Sequence, residues 1–424
     1  MFKRLSKNKF LLVIIIAVFL LFPSAIGKSS IANTNVLVVA MGIDKIGQEY
    51  ETSLMIIVPK QSGSFNQSLE VISAKGETVR QSLNQLSLHT GKRIGLGHCG
   101  MIIVNDEALK EDIVMVLDYV LRDTQVDNSC VLVNTNNSSK ELLEANKKLQ
   151  NQYGVDTAKM LDFTNNYVFL EQTNIEEVIN SKLSNNYVSF MSYISLSDKP
   201  EEGLDTKQED GGNSGGGGDP NNSSSGGGSS GGGSGSSDSK EKSVVSNIGQ
   251  IALLLDGKKV AVANQEIMKG LYWLSDKQSS LEFMVDPYSD DKLTDAKISF
   301  VVKSKKHIKE YTFKDGKPKV NIKVSADVKL SEIVQKDEAD GLFISYEDYV
   351  TEEMKKAVEE EIRSKIQNCI DFLTANKTDI IQVYRGFEKY KYKEWLKFLS
   401  TLDDKKNFLE YVDFEIEVEL KSKQ

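Results

Sequence analysis

Strand-like and helical patterns of apolar residues alternate along the first part of the chain. The runs typical of strands are residues 36–41, 51–58, 101–104 and 130–133. The helical patterns are Val79 with Leu83 and Leu86, residues 108–121 with one apolar face, and a segment near Leu142. Residues 42–44 (Gly-Ile-Asp), between the first two runs, predict a turn. Strands and helices in this order predict an α/β layer domain.

Residues 211–237 contain almost only Gly, Ser, Asn and Asp. Because such a stretch has no apolar side chains to offset its ordering entropy, it predicts a flexible tether.

Before the tether, residues 160–161 and 175–183 have helical patterns and residues 188–196 form a strand-like run.

After the tether, Asp256-Gly257 lies between two apolar runs and predicts a β-hairpin, and residues 266–274 predict a short helix. One hairpin and one helix are too few to bury a core alone. They are therefore expected to complete the domain begun before the tether, which makes the tether an inserted loop.

The last third of the chain predicts strands and one long helix. Residues 298–302, 319–329 and 412–420 alternate apolar with polar positions, which is typical of a sheet covered on one side only. Residues 347–373 predict the covering helix. Its apolar stripe is Met354, Val358, Ile362, Ile366, Cys369, Ile370 and Leu373. A lysine-bearing neighbour is favoured opposite the glutamates of the last strand.

The charge balance excludes some classes of function. The 424 residues include 52 Lys and Arg against 61 Asp and Glu, a formal net charge of -9, whereas a nucleic-acid binder needs a broad cationic face.

The scattered cysteines and histidines lack the short spacing of metal ligands, so no metal or other cofactor is expected. Packing in a core or a surface position is expected for each of Cys99, Cys130, Cys369, His89, His98 and His307.

Two short segments match the residues of known catalytic or nucleotide-binding motifs. The predicted structure around each segment does not suit that function. Residues 95–100 (GLGHCG) match GxGxxG, yet a strand-like run follows where a nucleotide site needs a helix N-terminus. Residues 212–216 (GNSGG) match GxSxG, yet nothing in a tether holds a serine against a histidine. Carboxylate pairs such as Glu352-Glu353 are typical of solvated faces. No catalytic set remains, which indicates a binding or scaffolding protein and not an enzyme.

The N-terminus has the three parts of a secretory signal. Lys3, Arg4, Lys7 and Lys9 precede the apolar residues 10–22, and small residues follow at Ala25 and Gly27. The rest of the chain is therefore expected outside the cytoplasmic membrane. Thirteen apolar residues are few for a membrane span, which takes about 20, so removal and retention as an N-terminal anchor both stay open.

Together these patterns predict an α/β (α+β) protein of several domains, with mixed sheets packed with helices. An antiparallel-rich C-terminal sheet is expected to be covered by one long helix. The expected divisions are a signal peptide or anchor at 1–32, an N-terminal α/β domain at 33–150, a middle domain at 151–278 interrupted by a disordered loop at 208–243, and a C-terminal domain at 279–424.

Several short segments, in their order along the chain, carry a resemblance. They are residues 36–45 (VLVVAMGIDK), 76–88, 97–98 before the strand-like 101–104, 117–123, 330–333, 379–395 with Arg385-Gly386 and Trp395, and the final strand. This series resembles the Ger(x)C-type family, the C-subunits of bacterial spore germinant receptors. The similarity spans nearly the whole chain outside the tether, and the order is more specific than any single segment.

The resemblance implies a non-catalytic, three-domain α/β protein at the outer face of the inner spore membrane. It also implies A-type and B-type integral membrane subunits as partners in nutrient sensing. The candidate contact residues are Gly42, Asp44, His98, Arg122 and Asp123. Their structural alternatives are a turn for Gly42 and Asp44, the start of a strand for His98, and a helix C-terminus for Arg122 and Asp123.

The sequence departs from the family at one position near the N-terminus. Members normally carry a lipobox ending in Gly-Cys, whereas Lys28 follows Gly27 here, so anchoring through a thioether-linked lipid is excluded. A retained N-terminal anchor is favoured over release and capture by partners. The alternative functions are a membrane-anchored envelope binding or scaffold protein unrelated to germination, and a secreted enzyme.

Overall fold

The computed structural model describes residues 35–59, 67–153, 173–184, 186–196, 249–276, 281–290, 295–334 and 351–421. Several predictions fall outside these ranges. They concern the N-terminal segment, the helical pattern at 160–161, the tether with its GxSxG match, and the start of the long helix at 347–350.

Nine strands form the first sheet. They are β1 (Asn35–Ile46), β2 (Glu49–Pro59), β3 (Gln67–Gly76), β4 (Arg93–Gly95), β5 (Met101–Asn105), β6 (Val131–Thr135), β7 (Val188–Tyr193), β8 (Gln250–Leu255) and β9 (Lys258–Ala263). Their order is β3-β2-β1-β5-β6-β7-β8-β9, with β4 beside β1. The central strands β1, β5, β6 and β7 are parallel, and antiparallel pairs extend the sheet on both sides.

Helices cover both faces of the first sheet. They are α1 (Val79–Thr90), α2 (Ile113–Val116), α3 (Asp118–Arg122), α4 (Ser139–Tyr153) and α5 (Ile175–Lys182). Alternate residues of β5 point to opposite faces. Ile102 lies in an apolar cluster with residues of α1, α2, α3 and α5, whereas Ile103 lies in a second cluster with Leu143 of α4. Therefore α4 covers the face opposite to the other four helices.

The second sheet has the order β10-β11-β12-β13 and is covered by helices on one face. Its strands are β10 (Glu282–Tyr288), β11 (Ala296–Lys314), β12 (Lys317–Val334) and β13 (Asp413–Lys421). The helices packed on it are α6 (Gln265–Leu274), α7 (Glu352–Ala375), α8 (Val383–Tyr390) and α9 (Tyr392–Leu399). Ile251 of β8 and Ala263 of β9 share this apolar cluster, so the two sheets are joined at that end.

Several predictions are confirmed in detail. The fold is a mixed α+β arrangement of two sheets with helices, and all seven stripe residues of α7 are buried. Asp256 and Gly257 both have positive φ, 54° and 74°, which suits the predicted two-residue hairpin. β13 pairs with the lysine-bearing β12, where Lys319 Nζ lies 2.7 Å from Glu415 Oε2. The domain boundaries stay a prediction.

The predicted turn at residues 42–44 is wrong. β1 continues through these residues to Ile46, and Ile43 is fully buried and pairs with Thr52 of β2. The reversal comes at Gly47, whose φ of 64° is available to glycine at little steric cost.

The single helix predicted over residues 108–121 is also wrong. The structure has a 3-10 turn at Ala108–Lys110, followed by α2 and α3. The Asp112 side chain accepts a hydrogen bond from Val114 N at 3.0 Å and starts a new helix. The Ile113 amide donates to Gly257 O at 2.8 Å, in the β8–β9 turn, instead of to the preceding helical turn. A contact distant in sequence therefore divides the helix.

The last third contains more sheet than predicted. The run at residues 298–302 belongs to a strand that reaches Lys314, and β10 is a strand without a prediction. In the first part of the chain, β3 also has no prediction. β11 has register shifts at Ser299/Phe300 and Val302/Ser304. Because an irregularity changes which side chains face the core, simple alternation stops at residue 302.

Candidate functional site

The carboxyl ends of β1, β5 and β6 meet at one edge of the first sheet, here called the carboxyl edge. The chain leaves β1 through β2 and β3 on one side, then crosses through α1 to β5 on the other side. In open α/β sheets, ligands are commonly recognised outside the carboxyl ends of strands at such a change of direction. The carboxyl edge is therefore the candidate binding surface of this sheet.

Gly42 and Asp44 lie beside the N-terminus of α4. The Asp44 carboxylate is 1% exposed and accepts hydrogen bonds from Ser138 Oγ at 2.9 Å and Ser139 N at 2.9 Å. It thus binds an amide that has no partner within the helix. Burial raises the pKa of Asp44, and these hydrogen bonds oppose the rise. A Cβ at Gly42 would overlap Ser139 Oγ, so the glycine lets α4 approach β1.

Lys45 is held at the carboxyl edge by an ion pair and an aromatic ring. Its Nζ pairs with Glu111 and lies 5.0 Å from the centre of the Tyr50 ring. The Tyr50 hydroxyl donates to Glu111 Oε2 at 2.6 Å, and Lys45 N donates to Asn105 Oδ1 at 3.2 Å. The hydrogen bond with Glu111 raises the pKa of Lys45, and the same bond lowers the pKa of Glu111. Both groups are therefore charged at neutral pH.

A second paired group lies between β5, β6 and β9. Asp106 Oδ1 accepts hydrogen bonds from Lys259 Nζ at 2.6 Å and from Asn134 Nδ2 at 2.9 Å. Lys259 Nζ also lies 4.5 Å from the centre of the Tyr193 ring. Asn134 is fully buried, and its Oδ1 accepts no hydrogen bond from the residues that the structure describes. At the carboxyl edge, Lys45 and Lys259 are thus each paired with a carboxylate, and these ion pairs hold the side chains of the surface in place.

The remaining candidates lie at the opposite, amino-terminal edge of the parallel strands. His98 is exposed in the loop before β5, and Arg122 is exposed at the end of α3, where it pairs with Asp118 at 3.0 Å. Asp123 follows α3 and accepts hydrogen bonds from Gln125 N at 2.9 Å. The predicted helix C-terminus is confirmed for Arg122 and Asp123, whereas His98 lies three residues before the start of β5 at Met101. The five candidates form two groups on opposite edges, and a contact role for either group stays a prediction.

Asp44→Ala is expected to destabilise the protein, whereas Arg122→Ala is expected to leave its stability nearly unchanged. A buried amide that loses its partner costs about 1–3 kcal/mol, whereas water screens the exposed ion pair of Arg122, which therefore contributes little to stability. Urea unfolding of both variants measures the difference. An unfolding midpoint for Asp44→Ala equal to that of the wild type would contradict the capping role of the carboxylate.

A buried and a half-buried lysine on the core face of β11, Lys305 and Lys309, bind the C-terminus of α6. Lys305 Nζ donates to Tyr272 O at 2.6 Å and to Ser275 O, and Lys309 Nζ donates to Leu274 O at 3.3 Å. The last carbonyls of a helix lack partners within the helix and favour a cation. Burial lowers the pKa of Lys305 to about 8 and also lowers that of Lys309.

Asp379 and His307 complete this buried polar group. Asp379 accepts hydrogen bonds from Val383 N at 2.8 Å and Tyr384 N at 2.7 Å, and burial raises its pKa to about 6. Burial and the charge of Lys309 lower the pKa of His307 to about 4. In the sequence, this group is visible only as polar residues at the alternate positions 305, 307 and 309. Such a pattern ordinarily predicts a strand face that is exposed to water. Sequence reasoning therefore missed the group.

The stability of the protein is expected to fall more between pH 7 and pH 5 than the stability of His307→Gln. Folded His307 titrates near pH 4 and stays neutral at pH 5, whereas the unfolded chain takes up a proton near pH 6.5. The folded state therefore loses roughly 1–2 kcal/mol as pH falls through this window. Asp379 acts in the opposite direction, because its pKa is raised in the fold, but it is present in both proteins.

Urea unfolding at pH 7 and pH 5 gives this difference, and His89→Gln at an exposed position is the matched control. The same pH dependence in wild type and His307→Gln would contradict a neutral, buried imidazole.

The described ranges contain neither a metal-binding cluster nor a membrane-spanning helix. Within them, no group of three or more His, Cys, Asp or Glu side chains could hold a metal ion. None of the helices in those ranges is both long and apolar enough to cross a membrane.

Two family models match the chain in succession. One, described as "Spore germination protein N-terminal domain", matches residues 29–196, and the other, "Spore germination B3/ GerAC like, C-terminal", matches residues 249–423. The solved structure "Crystal Structure of the GerBC protein" is similar at a TM-score of 0.50 and 13% identity, covering 92% of this chain and 99% of that chain. At this identity the likeness shows the fold alone. No curated protein matches the chain.

Proposed function

The chain belongs to the Ger(x)C-type family of germinant-receptor C-subunits, and on this premise we propose that it is a non-catalytic subunit acting outside the cytoplasmic membrane. Its proposed partners are the A-type and B-type integral membrane subunits of a receptor that responds to nutrients. The observation that supports this best is the order of the two family regions, at 29–196 and 249–423, which together leave out the tether.

The chemistry of the described residues supports recognition over catalysis. Lys45 is paired with Glu111, and Asp106 is paired with Lys259. A general acid or base needs a shifted pKa near the working pH and access to a reacting group. The groups with such shifted pKa values, Asp379 and Lys305, are both buried and bound to neighbouring backbone atoms.

The proposed place of action rests on the N-terminal segment. The basic residues before the apolar run favour a cytoplasmic N-terminus and an external remainder. We propose that residues 10–22 stay as the anchor, because Lys28 stands where the family carries its lipidated cysteine. Mass spectrometry of the mature N-terminus separates the cases, since a first residue of Lys28 would show cleavage.

Deletion of the gene tests the proposed function. Spores without the protein are expected to lose germination in response to the nutrients of this receptor, and the intact gene supplied in trans is expected to restore it. The variant Arg122→Ala, whose stability is expected to be nearly that of the wild type, then shows whether the amino-terminal edge is needed for germination. Unchanged germination with every nutrient, in a strain without a redundant copy, would favour an envelope scaffold unrelated to germination.

A further inference from the structure

Cys99 and Cys130 are far apart in the sequence and are neighbours in the fold. They precede β5 and β6, which pair in parallel from Met101 opposite Val131, and Val131 N donates to Gly100 O at 3.0 Å. Both side chains lie in the same apolar cluster, at 4% and 2% exposure. The interaction of the two thiols lowers the pKa of Cys99 and raises that of Cys130.

The backbone holds each cysteine in place. Cys99 N donates to Leu96 O at 3.0 Å, and Cys99 Sγ donates to Met101 O at 3.4 Å. Cys130 N donates to Asp127 O at 3.0 Å, and Cys130 O accepts from Ile175 N at 3.2 Å. The pair is therefore positioned by both strands and by α5, and not by a chance contact of mobile side chains.

We propose that Cys99 and Cys130 form a disulfide in the mature protein. One thiol loses its proton, and its thiolate attacks the disulfide of an extracytoplasmic thiol–disulfide oxidant, forming a mixed disulfide. The second thiolate then displaces the oxidant sulfur. The protein loses two protons and two electrons, and the oxidant is reduced to its dithiol. This inference rests on the proposed location outside the membrane, because cytosolic thiols are kept reduced.

The bond would close a covalent loop around α2 and α3, between the start of β5 and the start of β6. That loop contains Arg122 and Asp123, and His98 lies directly beside Cys99. Cross-linking limits the freedom of the unfolded chain and so stabilises the folded state. The disulfide would thus fix the amino-terminal edge, where three of the candidate contact residues lie.

Cys369 is the internal control for this chemistry. It lies in α7, fully buried in the apolar cluster of the second sheet, whereas Cys99 and Cys130 belong to a cluster of the first sheet. Burial raises the pKa of the Cys369 thiol to about 12. It is therefore expected to stay a thiol under the conditions that oxidise the pair.

Differential alkylation of the protein from its native membrane tests the proposal. Free thiols are blocked with iodoacetamide in denaturant, disulfides are then reduced, and the released thiols are labelled with N-ethylmaleimide. Peptide mass spectrometry is expected to find N-ethylmaleimide on Cys99 and Cys130 and iodoacetamide adducts on Cys369. Iodoacetamide on both Cys99 and Cys130 would overturn the proposal.

Oxidation of the purified, reduced full chain separates geometry from compartment. With oxidised glutathione, the chain is expected to lose two hydrogens in mass and to gain several degrees in Tm, in wild type and Cys369→Ser alike. Cys99→Ser and Cys130→Ser are each expected to abolish both changes. A stable glutathione adduct on one cysteine, without closure, would overturn the proposal. Germination after gene deletion does not depend on thiol state, so failure of the disulfide leaves the proposed function separately testable.

Discussion

Trp395→Ala is expected to lower the free energy of unfolding by about 3–5 kcal/mol, the range for truncating a large buried aromatic side chain. Trp395 is fully buried, and its ring is stacked on Phe387 at 4.8 Å between ring centres. It also meets the ring edges of Tyr384 at 5.3 Å and Phe408 at 5.4 Å. The indole joins α9 to α8 and to the 3-10 helix Lys405–Tyr411 that precedes β13, so its loss leaves a cavity between three elements.

Urea unfolding measures this loss, with the chain's other tryptophan, the buried Trp273, as the fluorescence reporter. Leu396→Ala is the matched control, because Leu396 is the next residue of α9 and is 47% exposed. A change within about 0.5 kcal/mol is expected there. Trp395→Phe is expected to cost less than Trp395→Ala, since it keeps a ring and removes an N–H that has no acceptor among the described residues. A loss under 1 kcal/mol for Trp395→Ala would contradict the packing of this region.

Gly270→Ala is expected to destabilise the protein, although alanine is the better helix former. A Cβ at residue 270 of α6 would overlap the backbone carbonyl of Lys365 and lie 2.6 Å from Cys369 Cβ in α7. Helix propensity alone predicts a gain of about 0.8–1.0 kcal/mol. Overpacking against backbone that cannot rotate away costs about 1–3 kcal/mol, so the net change is expected to be a loss.

Gly100→Ala is the control for this substitution, because a Cβ there meets nothing within 4 Å and the φ of Gly100 is not positive. Its unfolding midpoint is expected to equal or slightly exceed that of the wild type. A stabilised Gly270→Ala would show that α6 and α7 do not cross at this glycine.

The sequence predicted those elements whose structure depends only on residues close together in the chain. The alternation of β13, the stripe of α7 and the Asp256-Gly257 turn all depend on periodicity or on the φ of one or two residues. The same holds for the burial of Cys369, a small side chain within the apolar stripe of α7.

Contacts between distant segments determine the structural features that the sequence patterns did not predict. The bond between Ile113 and Gly257 divides a helix that has a continuous apolar face in the sequence. Lys305 and Lys309 face the core because the end of α6 offers them carbonyl oxygens, a contact that the sequence of β11 alone does not indicate. The contact of Cys99 with Cys130 likewise follows from the pairing of β5 with β6.

In the candidate site, too, local structure was predictable from the sequence, whereas contacts between distant segments were not. Gly42 and Asp44 lie within β1 and not in the predicted turn, and their surroundings are set by α4, which begins nearly a hundred residues later. Arg122 and Asp123 lie at the helix C-terminus that the sequence predicts, and His98 lies in the loop that leads to β5. The separation of the five residues onto two edges required the strand order, which the sequence did not determine.

Affinity purification of the tagged full chain from detergent-solubilised spore inner membranes tests the central claim, with membranes of the untagged strain as the control. Mass spectrometry is expected to find the A-type and B-type subunits of one receptor in the purified material and not in the control. Recovery of the chain from the soluble fraction, or from membranes without either subunit, would contradict its role as a receptor subunit.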